Sequence, residues 1–344
     1  MKIFRRALFL IVVVVLSLYV SSVFRRKSRY LDLMSAFQRL DPDSVEVLGV
    51  GSSHMYCTLI PAELYRSTGL SSFLLSTQYQ PIEISYEYMR RALARHSCKV
   101  VILETLMLAH SHKPIAEGVV HDGMDPIPLD LHKLATVLDL SREDGMENYL
   151  LPIIKYHSRW RELKKGDYGR KSLDVALATR GFSLLAQKKP NYLVKEVRCQ
   201  DYAPSPIDPY FRGWLERFHE TVKASGAELM LLTAPTPLNA LSCQRYSFLH
   251  QYANKHGIKY LDLNAEFNSL GIDANKDFFD LGHLNVWGAE KTTRRIGEYL
   301  IENFKFEIDK SPERANEWKN ICERYDYHKA KAAAFAVKDA NKKK

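Results

Sequence analysis

Short apolar runs alternate with helical patterns along most of the chain. "SVEVLGV" (44–50) reads as a strand that runs into a glycine turn, "GSSH". Pro61 then opens a short helix that stops at Gly69, with proline early and glycine late. "SSFLLS" reads as a second strand, and Pro81 opens a helix in which Ile82, Tyr86, Met89 and Leu93 fall at helical spacing. "CKVVILET" is a third strand, a continuous apolar run of the kind covered on both faces. "AELMLLTAP" and "IKYLDLN" are two more, separated by a helix from about Cys243 to His256. A last helix starts near Asn285, with Ala289, Ile296, Leu300 and Phe304 on one face and Glu290, Arg294, Arg295, Glu298 and Glu302 turned elsewhere. This βαβ rhythm predicts an α/β fold with a central parallel, doubly wound sheet.

Three segments break the rhythm. Residues 106–205 separate the third strand from the fourth, where a plain crossover needs only about a dozen residues. They carry helical patterns near Leu129–Leu140 and Gly145–Lys165, and read as a mainly helical insertion covering the strand ends. At the N-terminus, Ala7 to Val23 is an uncharged apolar run bracketed by arginines, close to the lower limit of roughly 17–25 residues for a spanning helix. Phe24 and the stems of Arg25 and Arg26 extend it. No A-x-A cleavage site follows, so the run reads as a retained signal anchor. The final stretch, "YHKAKAAAFAVKDANKKK", is low in complexity and reads as a solvated basic tail. The expected organisation is an anchor over 1–29, an α/β domain over 30–310 and a helical, low-complexity basic tail over 311–344.

The charge changes its meaning once it is located. The chain of 344 residues has a net charge of +9, which on its own suggests nucleic acid. Residues 1–29 hold +7 and residues 327–344 hold +5, which leaves −3 for the body between them. A nucleic-acid groove is therefore excluded from the expectation. Three basic residues precede the apolar run and four follow it, a slight bias toward a cytoplasmic body. The very short N-terminal tail argues for the opposite, extracytoplasmic orientation, which we adopt as the expectation, in part because of the family resemblance given below. The cysteines (Cys57, Cys98, Cys199, Cys243, Cys322) are odd in number and sparse, so they form no disulfide framework, although one bridge stays open.

The turn after the first strand carries the candidate chemistry. A dinucleotide fingerprint needs a third glycine where His54 stands and an acid after the second strand, where Ser76 and Thr77 stand. Pro61 also delays the helix that would receive a pyrophosphate, and no lysine follows the glycines as a P-loop requires. A nucleophile turn fits better. Ser53 lies just past a glycine that lets the backbone bend, and a serine needs a base that is itself oriented. "DFFDLGHLNVWGA" supplies Asp280 and His283, three residues apart in the loop before the last helix, with Gly282 for a tight turn between them. His283 is the only histidine of this chain with an aspartate three residues before it. The competing reading makes Asp280 a loop cap and His283 a surface residue.

Gly51-Ser52-Ser53 and Asp280-Leu-Gly-His283, in this order and placement, resemble the SGNH (GDSL-like) hydrolase superfamily over roughly 44–105 and 206–304. Ser52 stands where that family keeps an aspartate. The G-S-S-H form, the anchor and "GHLNVWGA" look most like its membrane-anchored branch, which includes the teichoic-acid D-alanylation protein. The resemblance implies a flavodoxin-like three-layer α/β/α domain with Ser53 as nucleophile, His283 as base and Asp280 as its orienting group. It also implies an acyl-serine intermediate, a cell-envelope polymer or acylated glycan as substrate, and a membrane-bound O-acyltransferase as partner. The chain departs from the family at the oxyanion blocks. "STQYQP" has no glycine and "LETLML" no asparagine. By analogy the Ser53 amide is one donor, and the Ser76–Gln80 loop supplies another through a backbone N–H or the Gln78 side chain.

Other residues keep two readings each. His54 contacts substrate or fills the turn, and Glu104 binds a polar substrate or caps the third strand. Thr233 and Thr236 line the pocket or simply end the fourth strand. His110, His112, His121, Asp122 and Asp125 cluster in sequence but match no metal-site spacing, and Glu216 with His219 lacks the second histidine of a zincin. No cofactor or metal is expected. The resulting expectation is a membrane-anchored serine esterase or O-acyltransferase. The alternative is a non-catalytic SGNH-like binding or scaffold module partnering an acyltransferase.

Overall fold

A computed structural model of the chain describes residues 2–25, 27–110, 115–140, 145–168 and 172–342. His112 of the sequence cluster and Arg26 of the anchor lie outside them. The apolar runs form a five-stranded, all-parallel sheet in the order β2-β1-β3-β4-β5: β1 (Val47–Gly51), β2 (Ser72–Ser76), β3 (Val100–Glu104), β4 (Glu228–Thr233) and β5 (Lys259–Asp262). Successive side chains of a strand point to opposite faces, and the sheet divides its residues that way. Leu48, Val50, Phe73, Leu75, Val101 and Leu103 join one buried cluster. Val47, Leu74, Val100, Ile102, Met230 and Leu232 join another.

The first cluster is closed by helices α2 (Arg29–Phe37), α5 (Ile82–Leu93), α6 (Pro209–Ala224) and α7 (Ala240–His256). The second is closed by α4 (Pro61–Thr68), α8 (Val286–Asn303) and α9 (Pro312–Lys342). A very short helix, α3 (Ser53–Tyr56), follows β1 directly. The helix that the sequence places only at Pro61 is thus preceded by one extra turn. The free edge of β2 is covered by the insertion. Arg180 O accepts from Leu74 N at 2.9 Å, and a Cβ on Gly181 would sit 2.2 Å from Leu74 O, so this approach requires glycine.

The strand order reverses between β1 and β3. Gly51 pairs with Ser76, and Glu104 with Leu232, so the carboxyl ends of neighbouring strands are level. In open parallel sheets the crevice at such a reversal is where sites form.

The insertion contains helices but no strand among its described residues. Its second helical pattern does not form one helix. Pro152 lacks an N–H and forces Leu151 to φ −121°, ψ 95°, which splits the run into Met146–Leu150 and Pro152–Tyr156, followed by the 3₁₀ turn His157–Arg161. At the N-terminus, α1 (Lys2–Phe24) is 23 residues long, roughly 34 Å at ~1.5 Å per residue, with a mean hydropathy of 2.7 over its most apolar window. It is long and apolar enough to cross a membrane. Its body is exposed, and only Ser21 and Val23 are buried.

The C-terminal segment is helical, and its last described residues, expected to be solvated, contain no buried residue but rest in part on the body. Helix α9 runs on to Lys342, because its alanine-rich sequence is strongly helix-forming and leaves a narrow apolar stripe. Trp318 stacks on Tyr65 at 4.5 Å, Tyr325 is fully buried, and Ala332, Ala333 and Ala336 pack on the second cluster. All five cysteines are free and buried.

Candidate active site

The site is assembled from β1 outward. Gly51 ends the strand at φ +140°, a conformation that disfavours any side chain, and a Cβ there would lie 2.7 Å from Glu104 Cβ. The chain turns, Ser52 caps α3 by accepting from His54 N at 3.2 Å, and Ser53 becomes the first helical residue. No hydrogen bond among the described residues uses the Ser53 N–H. It is one of the donors that a helix start leaves unpaired.

Glu104 fixes this turn from below. Its Oε2 accepts from Ser52 N (3.2 Å) and Ser52 Oγ (2.6 Å), and its Oε1 accepts from Leu106 N (2.6 Å). The side chain is buried, and burial raises its carboxyl to about 7 against the pull of these hydrogen bonds. Of its two sequence readings, the structure supports the cap and not the substrate contact.

The second half comes from the loop between β5 and α8. A bridge between Phe278 and Leu284, with Phe279 N donating to His283 O at 2.9 Å, closes the loop that carries Asp280 and His283. Asn285 holds it: Nδ2 donates to Lys276 O and Phe278 O, while Oδ1 caps α8 through Trp287 N and Gly288 N. Asn191, from the insertion, donates to Leu281 O at 2.9 Å. Gly282 donates its N–H to Asp280 Oδ1. Its φ lies outside the left-handed region and an added Cβ would meet nothing nearer than 3.8 Å, so this turn does not require glycine as the sequence suggested.

The two halves meet. His283 Nε2 lies 2.8 Å from Ser53 Oγ, and His283 Nδ1 lies 2.9 and 3.0 Å from the two Asp280 oxygens. An ionised carboxylate only accepts, so Nδ1 carries the proton and Nε2 is left to accept from the Ser53 hydroxyl. Burial would raise the Asp280 carboxyl, but bonds from Gly282 N–H and His283 outweigh it and hold the group below its usual range. A hydroxyl aligned on an imidazole that a carboxylate orients is an arrangement for nucleophilic attack.

His54 adjoins this pair, its ring edge-on to that of His283 at 5.4 Å. Burial first, then His283 and His110, lower it to about 3, so it is a neutral group at ordinary pH. A cleft of about 540 Å³ opens at the ends of β2 and β3, lined by Gln78, Tyr79, Met107, His110, Ile115 and Leu241 among others.

The remaining sequence candidates divide. Ser76 is buried opposite Gly51, and its hydroxyl has no partner among the described residues. The Gln78 N–H is donated to Tyr30 OH at 3.2 Å, so that N–H is not a free oxyanion donor; Gln78 lines the cleft. Gln80 is turned inward, donating to Leu75 O and Ser85 Oγ. Thr233 is buried between Thr105 Oγ1 and Tyr260 OH, at 2.6 Å from each, and the Thr236 N–H donates to Asn264 Oδ1. His121 pairs with Asp125 at 2.9 Å, and Glu216 faces Arg212; no group of described residues has the makings of a metal site. Asn191 carries no sequence signal for its role, whereas Asn285 is legible as a helix cap but not as the brace of the loop that carries Asp280 and His283.

No protein-family model matches this chain, and no curated protein matches it.

Proposed function

We propose that this protein is a membrane-anchored serine acyl-transfer enzyme of the SGNH type. The observation that carries the reading is the continuous chain Ser53 Oγ–His283 Nε2, His283 Nδ1–Asp280. The strand order and the apolar clusters on both sheet faces support a flavodoxin-like three-layer domain around it. Ser53 attacks an ester carbonyl while His283 takes its proton. The protonated imidazole, held by Asp280, then gives that proton to the departing alkoxide, leaving an acyl-serine. Water releases the acyl group in an esterase; a sugar or polymer hydroxyl accepts it in an O-acyltransferase. The Ser53 N–H, unpaired at the start of α3, is one oxyanion donor.

Helix α1, long and apolar enough to cross a bilayer, supports reading the protein as membrane-anchored, and we read the body as facing outward, toward an acylated cell-envelope polymer, alongside a membrane-bound O-acyltransferase. A second reading, a non-catalytic binding module, is favoured by one observation: the Gln78 N–H, where a second oxyanion donor is expected, is already engaged by Tyr30. Turnover of a chromogenic acetyl ester by the full chain in detergent separates the two. Turnover that disappears in both Ser53→Ala and His283→Ala supports the enzyme; equal background for wild type and both variants supports the binding module.

A further inference from the structure

The insertion is built onto the membrane helix at the point where that helix leaves the body. Ile153 N donates to Ser21 Oγ at 3.1 Å, and Arg159 Nη1 donates to Phe24 O at 2.6 Å. The pieces that pack on α1 are Pro152–Tyr156, His157–Arg161 and the helical turn Lys165–Tyr168. This same segment turns large apolar and aromatic side chains to solvent: Ile154 is 39% exposed, and Trp160 and Tyr168 are 60% exposed. Arg161, Lys164 and Lys165 are exposed beside them, against one exposed acid, Glu162, with the Arg161 guanidinium over the Trp160 ring at 4.7 Å. Met146–Leu150, which packs on Pro152–Tyr156, also packs on the helix Leu131–Asp139, where Leu131, Leu134 and Leu138 form an exposed stripe at i, i+3 and i+7 while Val137 is buried.

We propose that this face of the insertion is a second membrane contact, lying in the headgroup layer of the same bilayer that α1 crosses. Three features select lipid as the occupant. The face is continuous with the membrane helix through direct hydrogen bonds, so it sits at the height where α1 meets the water. Its composition, Trp and Tyr with an aliphatic residue and flanking cations, is that of an interfacial belt, where amphipathic rings settle at headgroup depth. Its exposed cations complement anionic headgroups, whereas the core of a protein–protein interface is depleted in lysine. Two attachments, one spanning and one lying flat, hold the body at one tilt and keep Ser53 at a fixed height above the lipid. The proposal rests on α1 being inserted in the bilayer, and not on the chemistry of Ser53.

The test uses the full chain in nanodiscs containing phosphatidylglycerol, with nitroxide labels introduced singly at Ile154→Cys, Tyr168→Cys, Val13→Cys and Lys255→Cys; the native thiols are all buried. Collision rates with oxygen, which enters lipid, and with a water-soluble nickel chelate are compared. Labels at 154 and 168 should show an oxygen-to-nickel ratio severalfold above that at Lys255, an exposed site on α7, and approaching that at Val13. Arg161→Glu, Lys164→Glu and Lys165→Glu together should return the 154 ratio to the Lys255 value. A lipid-like Val13 with water-like 154 and 168 overturns the contact while leaving the anchor intact. A water-like Val13 overturns the anchor and the contact together. Labels at 154 and 168 shielded from both reagents mean a protein interface, which also overturns the proposal.

Discussion

Ser53 Oγ stands 2.8 Å from His283 Nε2 although the two residues are 230 positions apart in the chain. Nothing local enforces that distance. It follows from two parallel-strand ends, β1 and β5, opening on the same edge of the sheet, and from two separately braced loops.

Because the three groups act as a unit, their losses should not add. Ser53→Ala and His283→Ala should each lower kcat by about 10³-fold or more, and the double variant by no more than the worse single. Asp280→Asn should cost at least about 10²-fold with a small change in KM, since the amide favours the wrong imidazole tautomer. Steady-state kinetics on all four variants checks this; additive losses would contradict a shared proton path.

Glu104 and His54 should give stability opposite pH dependences. The carboxyl of Glu104 is raised to about 7, so its contribution is fully present below about 4.5 and is lost as pH rises through 7, roughly 3 kcal/mol in all. His54 is depressed to about 3, so its contribution is present above about 6.5 and is lost as pH falls toward 3, roughly 5 kcal/mol. Between about 4.5 and 6.5 the two oppose each other. Glu104→Gln should therefore flatten the loss of stability from pH 5 to 8, and His54→Gln should flatten the loss from pH 6 to 3. Urea unfolding across pH checks both slopes.

Two glycines of the site should respond in opposite ways. Gly51→Ala forces a left-handed residue against Glu104 and should cost about 2–4 kcal/mol, together with activity. Gly282→Ala has ordinary room and an unremarkable φ, and should stay within about 1 kcal/mol of wild type with activity retained. Thermal melts with ester turnover distinguish them.

Asn285 supports the loop and the helix behind it at once. Asn285→Ala removes a cap and strands the carbonyls of Lys276 and Phe278, at about 2–4 kcal/mol. Ser53 is untouched, so the expected signature is a lower kcat with weaker dependence on His283. If Asn285→Ala keeps full kcat, the loop is held by Asn191 and its own backbone instead.

The strands were legible in the sequence because each is a continuous apolar run between turn residues, and all five form where the pattern places them. The triad residues were legible through their types and order, since Asp280-x-x-His283 is unique among the chain's histidines. What was not legible is how the turn is supported. Glu104 could be read as a substrate ligand because sequence does not reveal that its oxygens are consumed by Ser52 and Leu106. Gln78 could be read as an oxyanion donor because the partner of its N–H, Tyr30, lies 48 residues away. The split of the insertion helix was written in the sequence, since Pro152 removes an N–H in the middle of the Gly145–Lys165 pattern. The tail was legible as a helix with a largely solvated surface, whereas the packing of Ala332, Ala333 and Ala336 on the second cluster was not.

The most direct test of a reactive Ser53 is peptide mapping by mass spectrometry after the full chain is treated with a fluorophosphonate. Stoichiometric label on Ser53, lost in His283→Ala and slowed in Asp280→Asn, is the result the triad predicts. Label absent from Ser53 in the wild-type chain, or undiminished when His283 is removed, would contradict it.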